Sequence, residues 1–288
     1  MALDSGTIVR FLTITTLAGL LFSSGLRLSW ADIFGSLRRC RLGWILSVNF
    51  LLVPAIVFGL ARLFRVSTDT AAGMALLGAA PFAPVVPTFT RLARGDLALA
   101  GALTGLFPVL SAFVTPLICE VSLRPFLATE SVKFRVAAIL FVLVSTITLP
   151  LGAGVALRHL RPALAGLLLK PIQTFSEAVG AIALAYVIIT QFQFVRMIER
   201  NELFAMLLSS ELSFFLGYAL SGPSRSARLV AALGTSNRNI ALALLVAAQS
   251  FPGTAIAAAV VTNGLLLILA GLVHVGLWRL FVTPKIRV

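Results

Sequence analysis

Charge is scarce in this sequence. Only 11% of its 288 residues are Asp, Glu, Lys or Arg, against about 25% in a soluble domain. With 59% apolar residues and a mean hydropathy of +1.03, there is more apolar surface than one aqueous core can hide. The lipid bilayer is therefore the expected solvent. Cysteine is nearly absent: Cys40 lies in a basic connector and Cys119 near a helix end, with neither metal-ligand spacing nor a disulfide framework. His159 and His274 fall outside any ligand pattern. The sequence has no metal cluster, no phosphate loop and no nucleophile with its base, so an enzyme is not expected and no cofactor is implied. Strand-like alternation is missing, and the connectors leave no room for a soluble domain. A net charge of +13 raises nucleic acid as a partner. The 23 Lys and Arg instead fall mostly in short connectors, without a basic face or an aromatic binding motif, as charges flanking membrane spans do.

What is present is a series of apolar segments of about 20 residues, the length a bilayer demands. Nine are expected, at roughly 7–27, 42–63, 70–91, 96–121, 133–157, 168–192, 203–221, 227–249 and 253–282. The start, MALDSGTIVR, is weakly charged, so FLTITTLAGLLFSSGL reads as a first span and not as a secretory signal. The fold class is all-α: a polytopic membrane protein forming one domain over 1–288. Nine spans put the termini on opposite sides, with fourteen Lys and Arg on one side and eight on the other, Arg238 excepted. The positive-inside rule then places the N-terminus outside and the C-terminus in the cytoplasm. Trp30, Trp44 and Trp278 fall on the cytoplasmic side as interfacial anchors.

Two spans are interrupted. In the third, Pro81, Pro84 and Pro87 fall within seven residues. Each removes a backbone donor, so the helix is expected to break, with its freed groups buried in protein or lining a cavity. In the eighth, LGTSNRNIALALL sets Thr235, Ser236, Asn237, Arg238 and Asn239 between apolar flanks. The two share a loose frame. Leu77–Gly78 recurs as Leu233–Gly234, Gly95 matches Gly253, and Thr104 matches Thr262. Inverted repeats whose broken helices cross near the midplane are a common transporter architecture, and they place the substrate site at the crossing.

An arginine at the membrane centre costs at least ~2.5–3.5 kcal/mol on insertion scales. Arg238 is therefore expected to face a wet cavity, a counter-ion or an anion. Glu211 in the seventh span and Glu177 in the sixth are the candidate counter-ions, Glu211 being preferred on depth; it is also the candidate for proton uptake. Asn237 and Asn239 point to different faces of a regular helix but can share a site if the chain is unwound. Thr262, Asn263, Asn49 and Thr104 add neutral polar groups on other spans. Asp96 reads as the N-cap of the fourth helix.

The stretch GAAPFAPVVPTFTRLARGDLALAGALTGLFPVLSAFVTP, from Gly78 to Pro116, resembles the central crossing region of the bile acid:sodium symporter family. ALGTSNRNIALALLVAA resembles that family's second crossing helix, and TLAGLLFSSGLRLSWADI and SVNFLLVPAIVFGL its first two helices. The resemblance is collinear over about 270 residues. It implies a core domain, here about 42–121 and 203–282, with two discontinuous crossing helices. A panel domain, about 7–27, 133–157 and 168–192, would face it, with organic anions carried between the two. Sodium-coupled members read Gly-Gly-Thr-x-Ser-Asn where this chain reads Phe82-Ala83-Pro84-Val85-Val86-Pro87, so the sodium-binding Ser and Asn are replaced by Val86 and Pro87. The family's serine on the next helix falls on Ala100, while its threonine is kept as Thr104. In the second crossing Glu-x-Gly-x-Gln-Asn becomes Ala232, Gly234, Ser236 and Asn237, and the glutamine of the second helix becomes Asn49. Sodium needs several oxygens, which valine and proline side chains do not supply. Sodium coupling is therefore expected to be lost or weakened, with Arg238 supplying a fixed positive charge in its place. That charge either holds the crossing together or binds the anionic substrate. Related arsenite exporters use a cysteine in the first crossing, which this chain lacks.

The expected function is secondary transport of small organic anions, by uniport or with protons. The substrate would lie near Arg238, Asn237, Asn239, Thr262 and Asn263. Glu211, Thr104, Asn49 and Ser236 are the coupling candidates, and Pro81, Pro84, Pro87 and Gly234 shape the crossing. The expected partners are the bilayer and the anion, and the location is a bacterial cell membrane. Two alternatives stand beside this reading: sodium coupling at a relocated ion site, and a non-transporting sensor or subunit on the same scaffold.

Overall fold

The structure is a computed structural model that describes residues 5–28, 35–38, 40–127, 136–222, 224–252 and 254–281, the side chains of 125–127 excepted. All regular structure among the described residues is helical. In chain order the helices are α1 (Ser5–Arg27), α2 (Leu42–Leu63), α3 (Thr68–Gly78), α4 (Val86–Leu92), α5 (Leu97–Leu127) and α6 (Val136–Leu160). They continue with α7 (Pro162–Thr190), α8 (Arg200–Leu220), α9 (Arg225–Ser236), α10 (Ile240–Ser250) and α11 (Ile256–Phe281), with a short unnumbered helix, Phe192–Met197, between α7 and α8. Eight helical segments are long and apolar enough to cross a membrane, α9 and α10 counting together. The remaining expected span is the α3–α4 pair, whose two pieces of 11 and 7 residues are each too short to be a crossing on their own.

Local chemistry sets the helix ends. Asp96 Oδ1 accepts from Leu99 N–H at 3.0 Å at the start of α5, as its place before an apolar run implies. Ser224 and Asn239 accept likewise at the starts of α9 and α10. Glu199 and Glu202 form a capping box on α8, and Glu202 also accepts from Ser67 N–H at 2.7 Å, joining the starts of α8 and α3.

Two helices contain a π-turn, Val48–Leu52 in α2 and Val144–Thr148 in α6. Each is followed by a proline, Pro54 or Pro150, two positions after its last residue. In α2 the Val53 N–H bonds to Val48 O, five residues back. The same register would pair Asn49 O with residue 54, a proline without an N–H. The π-turn thus leaves the Asn49 carbonyl open.

α1 packs chiefly on α6 and α7, and α8 and α11 pack on α9 and α3 respectively. Small residues allow these approaches. A Cβ on Gly25 would meet Leu151 O at 2.3 Å, and one on Gly154 would meet Phe22 O at 2.3 Å, so α1 and α6 touch backbone to backbone. The α9–α10 segment is buried almost throughout. Trp44 is exposed on α2, Trp278 rests edge-on to Tyr218 near the end of α11, and Trp30 and Gly253 lie outside the described residues.

Candidate binding site at the helix crossing

The two interrupted spans meet at their gaps. α3 ends at Gly78 and α4 begins at Val86; α9 ends at Ser236 and α10 begins at Ile240. Ala83 N–H donates to Asn237 O at 3.0 Å, and Asn239 N–H donates to Ala80 O at 2.8 Å, a reciprocal pair that ties gap to gap. Thr115 Oγ1 on α5 donates to Ala79 O at 2.5 Å. The backbone groups released by the breaks are thus taken up inside the protein, as a hydrocarbon surround requires.

Pro87 departs from its expected role. It occupies one of the first two positions of α4, where a missing N–H costs nothing, so it starts a helix and does not break one. The break spans 79–85 and contains Pro81 and Pro84. Inside it, Phe82 has a left-handed backbone, φ 57°. That conformation costs a bulky residue about 1–3 kcal/mol. Its ring stacks on Phe107 at 4.1 Å and lies so close to Gly234 that a Cβ there would come within 2.5 Å of three ring atoms.

Arg238 stands between α9 and α10, only 4% exposed. Its guanidinium faces backbone and amide oxygen alone. Nε donates to Leu77 O at 3.1 Å, and Nη1 donates to Asn49 Oδ1 at 2.7 Å and to Thr235 O at 3.3 Å. Nη2 donates to Asn49 O at 3.2 Å and to Gly78 O. The backbone acceptors lie at helix irregularities. Leu77 O has Pro81 where a helix would place its N–H, and accepts from Ala80 N–H at 3.0 Å in a tighter turn. Asn49 O faces Pro54. Thr235 O has lost the Asn239 N–H to the other gap. The C-terminal ends of α3 and α9 converge here with their partial negative charges, and the guanidinium sits between them.

Neither expected counter-ion reaches Arg238. Glu211 Oε2 pairs with His274 Nε2 of α11 at 3.0 Å, and the His274 ring stacks on Phe214 at 3.8 Å. Glu177 accepts from Gln173 at 2.6 Å. Helix ends and an amide, not a carboxylate, hold the arginine. The pairing of Glu211 with His274 has no local signal in the sequence, since the two side chains lie 63 positions apart on separate spans.

A cavity of about 280 Å³ runs between α1 and α7 on one side and the crossing on the other. Asn237, Arg238 and Asn239 line it together with Pro84, Thr13, Thr16 and Glu177. The unwound backbone brings both asparagines to one wall. Asn237 Oδ1 and Asn239 Nδ2 are both buried without partners, one acceptor and one donor, and the Asn237 amide lies against Gly271 of α11. The N-terminus of α10 opens beside them through Ile240 and Ala241. Asn263 lies instead on a separate small polar pocket with Ser209, Ser210, Ser213, Ser236 and the other edge of Arg238. Thr262 Oγ1 is buried without a partner and lines no described cavity. Thr104 Oγ1 is also unpartnered and lines a neighbouring cavity.

Val86 and Ala100 offer no oxygen, Asn49 Oδ1 is taken by Arg238, and Thr104 lines a different cavity from Arg238. Among the described residues no group of His, Cys, Asp or Glu gathers to hold a metal.

Broken apolar helices joined gap to gap, next to a cavity lined by unpartnered amides, define a polytopic membrane protein with a buried polar crossing. The model of the sodium bile acid symporter family matches residues 14–201, and the chain belongs to that family. It is also similar to the probable sodium/metabolite cotransporter BASS1, chloroplastic, of Arabidopsis thaliana, with 24% identity over 277 residues. That match covers 93% of this chain and 66% of the plant protein, just under two thirds of its length.

Proposed function

We propose that the chain is a secondary transporter of small organic anions that works without sodium. The cavity beside Asn237 and Asn239 would receive the anion, and Arg238 would provide a cation fixed at the crossing. The observation that carries this reading is the set of oxygens around the Arg238 guanidinium: Asn49, Leu77, Gly78 and Thr235. An oxygen cage between two helix C-termini is what a small monovalent cation seeks. A guanidinium bonded into the cage supplies the charge and excludes a competitor. The family and the plant relative carry sodium in their names; this chain has an arginine where Asn49 would otherwise serve an ion.

The asparagine pair suits an anion with a second polar group. Asn239 Nδ2 would donate to a carboxylate near the α10 N-terminus, and Asn237 Oδ1 would accept from a hydroxyl. Transport would run as uniport or with protons, and the Glu211–His274 pair is the candidate proton carrier. The protein would sit in the cell membrane of a bacterium with its N-terminus outside and its C-terminus in the cytoplasm.

The test is uptake of labelled organic anions into liposomes containing the purified chain. Sodium is replaced by potassium, and a pH gradient is imposed separately. Equal uptake in sodium and potassium supports the fixed-cation reading. Sodium-stimulated uptake overturns it in favour of an ion site elsewhere. Absence of flux for every anion in every gradient favours a scaffold that no longer transports. A response to the pH gradient that Glu211→Gln removes assigns proton coupling.

A further inference from the structure

A second cavity, of about 360 Å³, opens between α1 and α7 on one flank and α4 and α5 on the other. It shares Leu20, Pro84 and Glu177 with the crossing cavity, so the two are contiguous. Two arginines line it from opposite flanks: Arg27, the last residue of α1, and Arg91, in the last turn of α4. Arg27 donates to Gln173 Oε1, and Gln173 Nε2 donates to Glu177 Oε1 at 2.6 Å. The carboxylate thus joins the Arg27 hydrogen-bond chain only through a neutral amide. Arg91 has no hydrogen-bond or ion-pair partner among the described residues. It lines the same cavity as Arg27, so two like charges face one space.

Two cations against one carboxylate, in a cleft with low-dielectric walls, focus a positive potential on the cavity. An arginine fork matches the two oxygens of a carboxylate. An anion between the two guanidinium groups would offset their like charge.

We propose that the cleft between Arg27 and Arg91 is a second anion subsite, which takes a carboxylate group before the anion passes Glu177 into the crossing cavity. Binding bridges α1 to α4, so it draws the two flanks of the seam together. Glu177, at the throat shared by both cavities, repels the bound anion and keeps its stay short. The subsite rests on the anion-transport reading for its purpose, but its occupancy is measurable without flux.

The experiment is calorimetric binding of succinate to the purified chain in sodium-free detergent solution. Potassium chloride of equal ionic strength serves as the blank. Both arginines are exposed, and each variant is first checked for wild-type thermal unfolding. Arg27→Gln and Arg91→Gln are each expected to weaken binding about tenfold, the worth of one charge-assisted pair. Arg91→Lys is expected to keep part of the affinity, and Glu177→Gln to tighten binding. Succinate binding that survives both glutamine variants but is lost in Asn237→Ala/Asn239→Ala overturns the subsite and leaves anion binding at the crossing intact. No binding above the chloride blank overturns the subsite as well. Arginine-dependent binding in a chain that moves no anion in liposomes upholds the subsite and sinks the transport reading.

Discussion

Asn49 Oδ1 accepts a hydrogen bond from Arg238 Nη1 at 2.7 Å, across 189 positions of sequence. The rest of the Asn49 amide fixes its orientation, since Nδ2 donates to Ile45 O at 2.9 Å and to Thr235 Oγ1 at 3.0 Å. One side chain therefore links α2 to both sides of the second gap: to Thr235 at the end of α9 and to Arg238 ahead of α10. Its own carbonyl, opened by the π-turn before Pro54, receives Nη2 of the same arginine. The two residues form a closed unit from which neither partner can be removed without exposing the other.

Arg238→Ala should leave four backbone carbonyls and one amide oxygen without the donor they now have. We expect a loss of about 3 kcal/mol or more in stability, on the scale of uncapping a few buried acceptors. Arg238→Lys should recover only part, because an ammonium has three donors and no planar fork. Thermal unfolding in detergent measures both, and a Lys variant as stable as the wild type would contradict the capping role.

Pro54→Ala supplies an N–H in register with the Asn49 carbonyl. That carbonyl would then have an alternative to Arg238. Arg238→Ala should consequently cost about 1 kcal/mol less in the Pro54→Ala background than in the wild type. A double-mutant cycle on unfolding free energy reads the difference, and strict additivity would show that the π-turn does not matter to the arginine.

Gly234→Ala places a methyl group into the Phe82 ring, whose nearest atom is 2.0 Å from where the Cβ would stand. The ring is held by its stack on Phe107 and by a left-handed backbone, so it has little freedom to yield. Destabilisation of about 1–3 kcal/mol is expected. Phe82→Leu should rescue much of it if the ring is the obstacle; equal damage in both backgrounds would place the obstacle in the backbone.

Gly154→Val should separate α1 from α6, because its Cβ would fall 2.3 Å from Phe22 O and 3.0 Å from Gly25 Cα. Backbone cannot swing aside as a side chain can. We expect a fall in thermal stability, and anion uptake reduced in proportion to the folded protein recovered. Reduced uptake with unchanged stability would instead make this contact part of the moving machinery.

The helices and their two interruptions were legible because span length and proline position are local properties. Nine segments were expected, and the third proved to be two short helices around Pro81 and Pro84. The direction of each proline was harder to read. Pro87 looks like Pro84 in sequence, and only its place in the first turn of α4 separates a helix starter from a breaker. At the site, the oddity of Arg238 is visible in the sequence, but its partners are oxygens of Asn49, Leu77 and Thr235 and not the carboxylates that charge alone suggests. Backbone carbonyls leave no mark in a sequence, except through the residues that disarm their usual donors. Pro54 and Pro81 were that mark, five and four positions after Asn49 and Leu77. Glu211 and His274 showed no pattern because their meeting depends on how α8 lies against α11.

The contact of Gly25 with Gly154 has a mechanical consequence. Two helices joined backbone to backbone, without side chains between them, have no compressible layer and no spare rotamers, so they shear poorly against each other. α1 and α6 should then travel as one lever. Any rearrangement that exposes the crossing cavity first to one face of the bilayer and then to the other would be confined to the seam lined by side chains, where Leu20 and Glu177 face Pro84. Stiffness in one layer thereby decides where the other can slide.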